Sequence, residues 1–271
     1  MKVVGLARRA PLVEVGDVLR IMERWAGKTA VVTGARAGIG AAVCVALADA
    51  GMKVVGLARR APLVEKLQSR VTGKGSIVGK QCDVSQQSEV AAVFQWVDDT
   101  LGGVDVLVNN AGVFFPGGMT DVSPKPTPEE NLLKCIDVNV KGVVMCTRRA
   151  ISSMRRRGVA GHIVNINSIA GHYIPFDSMF NVYPGSKHAV TGITASLDNE
   201  LCDFGSKIKT TSISPGLVAT DMVIAELDGA PLTAPALRPE DVAEAVRYVV
   251  STPPSVNINE LTITPVGGKR L

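Results

Sequence analysis

The chain has 271 residues, of which 46% are hydrophobic, 20% charged and 4% aromatic, a globular composition that excludes a disordered chain and leaves enough surface to bury a sizeable core. Lysine and arginine (29) barely exceed aspartate and glutamate (25), and the densest basic cluster, Arg155-Arg156-Arg157, reads as a solvated helix end, so no nucleic-acid partner is expected. The apolar runs are too short for a transmembrane segment. The five cysteines (Cys44, Cys82, Cys135, Cys146, Cys202) are odd in number and lack CxxC spacing, which suits reduced thiols in the cytoplasm rather than disulfides or zinc.

In chain order, the first feature is a repeat: residues 1–14 and 52–65 share the same fourteen letters, MKVVGLARRAPLVE. A structural repeat diverges, and this one has not. Residues 1–21 are expected to be a duplicated, non-native extension ahead of a start at Met22. As a targeting signal the segment is poor, because its apolar run is short and Glu14 and Asp17 spoil a presequence.

From Glu23 onward strands and helices alternate. Strands are predicted at 28–33, 53–57, 76–81, 104–108, 162–165, 209–213 and 261–264, with helices at 41–50, 88–101, 129–158 and 185–204. This alternation makes βαβ units, and no linker divides residues 22–271. The expected fold class is α/β, a single Rossmann-type doubly wound parallel sheet with helices on both faces.

Between the first strand and first helix lies TGARAGIG, residues 33–40. Gly34 allows a tight turn, Gly38 lets the backbone approach a pyrophosphate, and Gly40 permits close packing, while the helix start offers free N–H groups to phosphate. The second strand ends in Ala58-Arg59-Arg60, where a carboxylate would serve NAD ribose hydroxyls. Arg59 and Arg60, with Arg36 in the glycine loop, suit a 2′-phosphate and so point to NADP(H).

Here the chain resembles the short-chain dehydrogenase/reductase family over nearly all of residues 23–271. The glycine loop at residues 33–40, Asp83 in Cys82-Asp83-Val84, the NNAG motif at Asn109-Asn110-Ala111-Gly112, and Pro215-Gly216 followed by Val218 and Thr220 carry the resemblance. It implies cofactor contacts from Gly34, Arg36, Gly38, Ile39, Gly40, Arg59, Arg60, Asp83, Val84, Asn110, Ala111, Gly112, Tyr183, Lys187, Pro215, Gly216, Val218 and Thr220. It also implies a catalytic set of Asn139, Ser168, Tyr183 and Lys187, in which Asn139 positions a water linking Lys187 to solvent. A homodimer or homotetramer is expected. Closer likeness is to the insect farnesol dehydrogenase-like group and its vertebrate steroid-active relatives, through Met22-Glu23-Arg24-Trp25, GHIVNINS at 161–168 and RPEDVAEAV at 238–246.

The residues support this chemistry independently. Tyr183 and Lys187 are four apart and share a helix face, and Pro184 places them in a first turn. A phenol titrates near ~10, and a neighbouring ammonium together with oxidised nicotinamide is expected to lower that value. Tyr183 then exchanges the hydroxyl proton while Ser168 holds the substrate oxygen. His162, His172 and His188 lack ligand spacing, so no metal is expected.

Val113, Phe114, Phe115, Ile174, Phe176, Met179 and Phe180, with Met222, Val223, Ile224 and Leu227 on a flap after Thr220, are expected to line the substrate side. They favour a small hydrophobic alcohol or carbonyl. Farnesol to farnesal is the first candidate, with a 17-ketosteroid or xenobiotic carbonyl reductase as alternative. A non-catalytic NADP(H)-binding redox sensor is the alternative of another class, disfavoured by the complete Asn-Ser-Tyr-Lys set.

Overall fold

Strand β1 (Thr29–Thr33) is TAVVT with every residue buried, the pattern of a strand covered on both faces. Its side chains alternate: Ala30 and Val32 enter one core, and Val31 enters the other. The computed structural model describes residues 22–224 and 231–268; the extension at 1–21, Leu227 and the terminal 269–271 lie outside them.

Strands β2 (Lys53–Ala58), β3 (Ser76–Gln81), β4 (Val106–Asn109), β5 (His162–Ile166), β6 (Lys209–Pro215) and β7 (Glu260–Ile263) join β1 in a parallel sheet ordered β3-β2-β1-β4-β5-β6-β7. Helices α1 (Gly38–Asp49) and α8 (Pro239–Ser251) cover one face together with the short α2 (Pro62–Glu65). The other face is covered by α3 (Gln87–Leu101), α5 (Gly142–Arg157) and α6 (Tyr183–Asp203). Helices α4 (Glu129–Ile136) and α7 (Asp221–Ile224) lie at the carboxyl end of the sheet, where the cleft forms. The Rossmann-type fold expected from the sequence is the observed one.

The chain winds outward from β1 to β2 and β3, then returns across β1 to β4. The connections leaving β1 and β4 therefore diverge, and a crevice opens between them at the carboxyl ends of the strands. Two local expectations change. The predicted helix 129–158 is interrupted at Asp137–Lys141 by a π-helical turn, whose wider ring admits an extra residue. Helix α6 starts at Tyr183, two residues ahead of the 185–204 span, with Pro184 in its first turn as its chemistry predicts.

The five cysteines are free thiols, four buried and Cys202 exposed. The arginine cluster closes α5, where Arg156 pairs with Asp98 and Arg157 Nη1 lies 3.0 Å from Asp105. No helix among the described residues is long and apolar enough to cross a membrane.

Just before β1, Met22 and Trp25 are buried against the α8 core. Trp25 Nε1 donates to Val250 O at 2.9 Å, and Arg24 Nη2 donates to Val250 O and Thr252 O. The chain is therefore anchored at the far edge of α8 as soon as the described residues begin. Trp25→Ala is expected to cost about 3–5 kcal/mol in chemical denaturation, while Trp25→Phe costs less because it keeps most of the ring. Equal, small losses in both would show that this anchor is superficial.

Candidate active site

The glycine loop follows β1 because its backbone needs what only glycine gives freely. Gly34 has φ +66°, and a Cβ there would lie 2.8 Å from Ala111 Cα. A Cβ on Gly40 would meet Gly34 O and Asn110 Nδ2 at 2.4 Å each. Helix α1 then opens with no side-chain cap and no acidic residue in its first turn, so its N–H groups and dipole remain available to an anion. Thr33 Oγ1 accepts from Asn110 N (3.0 Å) and Ala111 N (2.9 Å), and Asn110 Nδ2 donates to Thr33 O at 2.9 Å.

These contacts frame a cleft of about 670 Å³. Gly34, Arg36, Gly38, Ile39, Arg59, Asp83, Val84, Asn110, Ala111 and Gly112 line it, with Ser168, Tyr183, Lys187, Pro215, Gly216, Val218 and Thr220. Three of the expected cofactor and catalytic residues are off the wall. Gly40 sits beneath the loop, Arg60 is exposed beyond it, and Asn139 is buried behind it. Arg36 and Arg59 are thus the cations that reach the cleft from the expected trio. Sequence reasoning missed Lys134 and Asn167, which also line it. Lys134 carries no motif, whereas Asn167 directly precedes Ser168.

Asp83 accepts from Ser85 N at 2.9 Å and Ser85 Oγ at 2.7 Å. Burial raises its carboxyl, but these bonds and the charges of Arg59 and Lys134 outweigh burial and hold it below the ordinary value. Asn139 lies in the π-helical turn, where its Oδ1 accepts from Val113 N at 2.8 Å. Its Nδ2 donates to Val113 O at 3.0 Å and Ser186 Oγ at 3.1 Å. Its side chain therefore ties the β4 exit to α6. A Cβ on the intervening Gly112 would lie 3.5 Å from Asn139 Oδ1 and 4.0 Å from Lys187 Nζ.

Ser168 sits just past β5, its Oγ accepting from Ala170 N at 3.1 Å and bonding to the Tyr183 phenol. Lys187 Nζ donates to Ile166 O at 3.0 Å and lies 5.8 Å from the Tyr183 ring centroid. The lowered phenol expected from the sequence is not what the protein alone produces. Burial pushes Tyr183 up to about 12, against the downward pull of the Ser168 bond. Burial also pushes Lys187 down to about 8. Desolvation opposes charge on both groups, and it outweighs the Ser168 bond at Tyr183 and the influence of Cys135 at Lys187.

On the substrate side, Val113, Phe114, Phe115, Met222 and Val223 line the cleft, while Ile174, Phe176, Met179 and Phe180 do not. The chain turns through a short 3₁₀ segment at Ser178–Phe180, capped by the Asp177 side chain, and this leaves Phe176 fully in solvent. Phe180 instead stacks on Phe114 with ring centroids 5.4 Å apart. The side chain of Ile224 lies outside the described residues. His162 is buried, which lowers its pKa well below the ordinary value, His172 Nε2 meets Ser214 Oγ, and His188 Nδ1 meets Pro184 O. No metal-ligand cluster occurs among the described residues.

A glycine loop at a helix start, facing a serine, a tyrosine and a lysine across a sheet crevice, defines a nucleotide-binding oxidoreductase. Residues 28–230 match the short chain dehydrogenase family, and the chain belongs to it: it is a short-chain dehydrogenase/reductase, a family that binds a nicotinamide cofactor. Among curated relatives, a farnesol dehydrogenase of Aedes aegypti is 49% identical over 251 residues, covering 92% of this chain and 100% of that protein. Dehydrogenase/reductase SDR family member 11 of Mus musculus is 40% identical over 255 residues, covering 90% and 96% of the two chains. A short-chain type dehydrogenase/reductase from Mycobacterium marinum superposes with a TM-score of 0.81 at 29% identity, over 91% of this chain and 97% of that one. The closed form of a serine dehydrogenase complexed with NADP+ gives 0.77 at 30% identity, over 89% and 96%.

A lysine held near pH 8 binds fewer protons folded than unfolded between that value and its ordinary 10.5. Its penalty is therefore full below about pH 8 and is relieved as pH rises to 10.5. Lys187→Met is expected to be more stable than the parent at pH 7, by up to about 3 kcal/mol before the lost Ile166 bond is subtracted. The advantage should shrink towards pH 10.5, as urea titrations at the two pH values would show. A variant less stable at pH 7 would mean that Lys187 is not held at such a cost.

Proposed function

We propose that the protein is an NADP(H)-dependent oxidoreductase interconverting a hydrophobic alcohol with its aldehyde or ketone, farnesol to farnesal being the first pair to assay. The observation that carries this reading is the polarity of one cleft. Arg36 and Arg59 stand on its wall near the glycine loop, while Ser168, Tyr183 and Lys187 stand with Val113, Phe114 and Phe115. The cradle under Gly34 and Gly40 and the uncapped start of α1 fit a pyrophosphate. Guanidinium groups, with no carboxylate at the end of β2, fit a 2′-phosphate. The name of the mosquito relative supports the substrate, and NADP complexes among similar folds support the cofactor.

Bound nicotinamide supplies the hydride acceptor or donor. In the proposed roles, Ser168 Oγ hydrogen-bonds the substrate oxygen and stabilises charge developing there. Tyr183 Oη gives a proton to that oxygen in reduction and takes it back in oxidation. A phenol is protonated at neutral pH at its ordinary value, and burial of Tyr183 raises it further. Lys187 holds the ribose with its ammonium, and Asn139 keeps the Lys187 helix registered on the β4 exit through Val113 and Ser186. The proposed catalytic unit is residues 22–271; the mosquito relative aligns along its whole length with 92% of this chain, which supports that boundary.

The decisive assay is a panel of isoprenoid, steroid and small aromatic alcohols and carbonyls, each run with NADP(H) and NAD(H). Turnover restricted to sugars or hydroxy acids, or to NAD(H), would overturn the reading. Tyr183→Phe is expected to keep NADPH affinity while lowering kcat by about 10²–10⁴-fold, since only the proton-transferring oxygen is removed. Near-parental turnover would remove Tyr183 from the mechanism. Replacing Arg36 and Arg59 together by alanine should weaken NADPH by at least about tenfold relative to NADH, as two charge-assisted phosphate contacts are lost. An equal loss for both cofactors would show that these cations do not read the 2′-phosphate.

A further inference from the structure

Two residues before Tyr183, Asn181 is the one non-glycine residue with positive φ among those described, at φ +37° and ψ −116°. L-residues avoid this backbone state, and such strain persists only where surrounding bonds impose it. Here the bonds are visible. Asn181 Oδ1 accepts from Val182 N at 2.6 Å, at the entrance to α6. Its Nδ2 reaches Phe115 O at 2.7 Å, Gly117 O at 3.0 Å and Thr127 Oγ1 at 3.1 Å. One side chain thus joins the segment that leaves β4 to the helix that carries Tyr183 and Lys187.

A backbone rung lies beside it, with Gly117 N donating to Met179 O at 3.0 Å. The joined segment begins with Phe114, whose ring stands edge-on to Tyr183 with centroids 5.2 Å apart. Phe114 and Phe115 both line the cleft. Glycine would satisfy the backbone better, yet it would leave the Phe115 and Gly117 carbonyls without this donor. A carboxylate would set negative charge against those same oxygens. The position calls for the amide itself.

We propose that Asn181 is a positioning residue that clips segment 114–127 to the start of α6, fixes the apolar end of the cleft around Tyr183, and so sets the preference for long apolar alcohols over short ones. The substrates named here rest on the function proposed above; the clip itself does not.

The test uses the full chain with Asn181→Gly and Asn181→Asp, glycine being free of the φ constraint. Hydrogen exchange across residues 115–127 should accelerate about tenfold or more in both variants, with the sheet core unchanged. NADPH affinity should stay at the parental value. The ratio of kcat/KM for farnesol over prenol, which has the same allylic head without the isoprene tail, should fall about tenfold. Parental exchange over 115–127, or an unchanged ratio, would overturn the proposal, as would equal losses on both alcohols. If the parent acts on another long and short pair instead of farnesol, the substrate reading fails alone and that pair supplies the ratio. If no substrate turns over, the exchange result alone decides the clip.

Discussion

The hydrogen bonds between Thr33 and Asn110 hold together two chain segments that the sheet topology drives apart. β1 sends the chain outward to β2, and β4 sends it the other way, so their exits diverge. Thr33 Oγ1 receives two backbone N–H groups from the β4 exit, and Asn110 returns an amide to the carbonyls of Thr33 and Gly34. The separation of the glycine loop from the NNAG turn, and hence the width of the cleft, follows from these bonds. Gly34 and Gly40 are required because the two segments come too close for a Cβ on either.

The chemistry at the other end depends on burial. Tyr183 and Lys187 share a helix face, yet the phenol is raised and the ammonium lowered, because the site removes water from both. The arrangement keeps a neutral acid beside a lysine whose charge is costly. Such costs are usual where a site is built for function rather than stability. The buried network of Asn139, Ser186 and Val113, together with the π-helical turn that delivers Asn139, belongs to the same scheme: it fixes side chains that carry no charge themselves.

Much of this was legible in the sequence because it depends on local spacing. Alternating strands and helices set the parallel sheet, three glycines between a strand and a helix set the tight loop ahead of α1, and a four-residue interval set Tyr183 and Lys187 on one face. Pro184 marked the helix start. The verbatim repeat at 1–14 and 52–65 was equally plain, and within the described residues the second copy supplies β2.

Only the tertiary structure decided the rest, since it depends on contacts between segments far apart in the chain and on what water can reach. Arg59 lines the cleft and its neighbour Arg60 does not, a distinction no composition carries. Phe176 is apolar but faces solvent because a short 3₁₀ turn redirects the chain, while Phe114 and Phe115 face the cleft. Asn181 belongs to no sequence motif, and its amide bonds carbonyls more than sixty residues away. The direction of the Tyr183 and Lys187 shifts belongs here too. Sequence places two groups together, but burial decides which of their charge states is favoured.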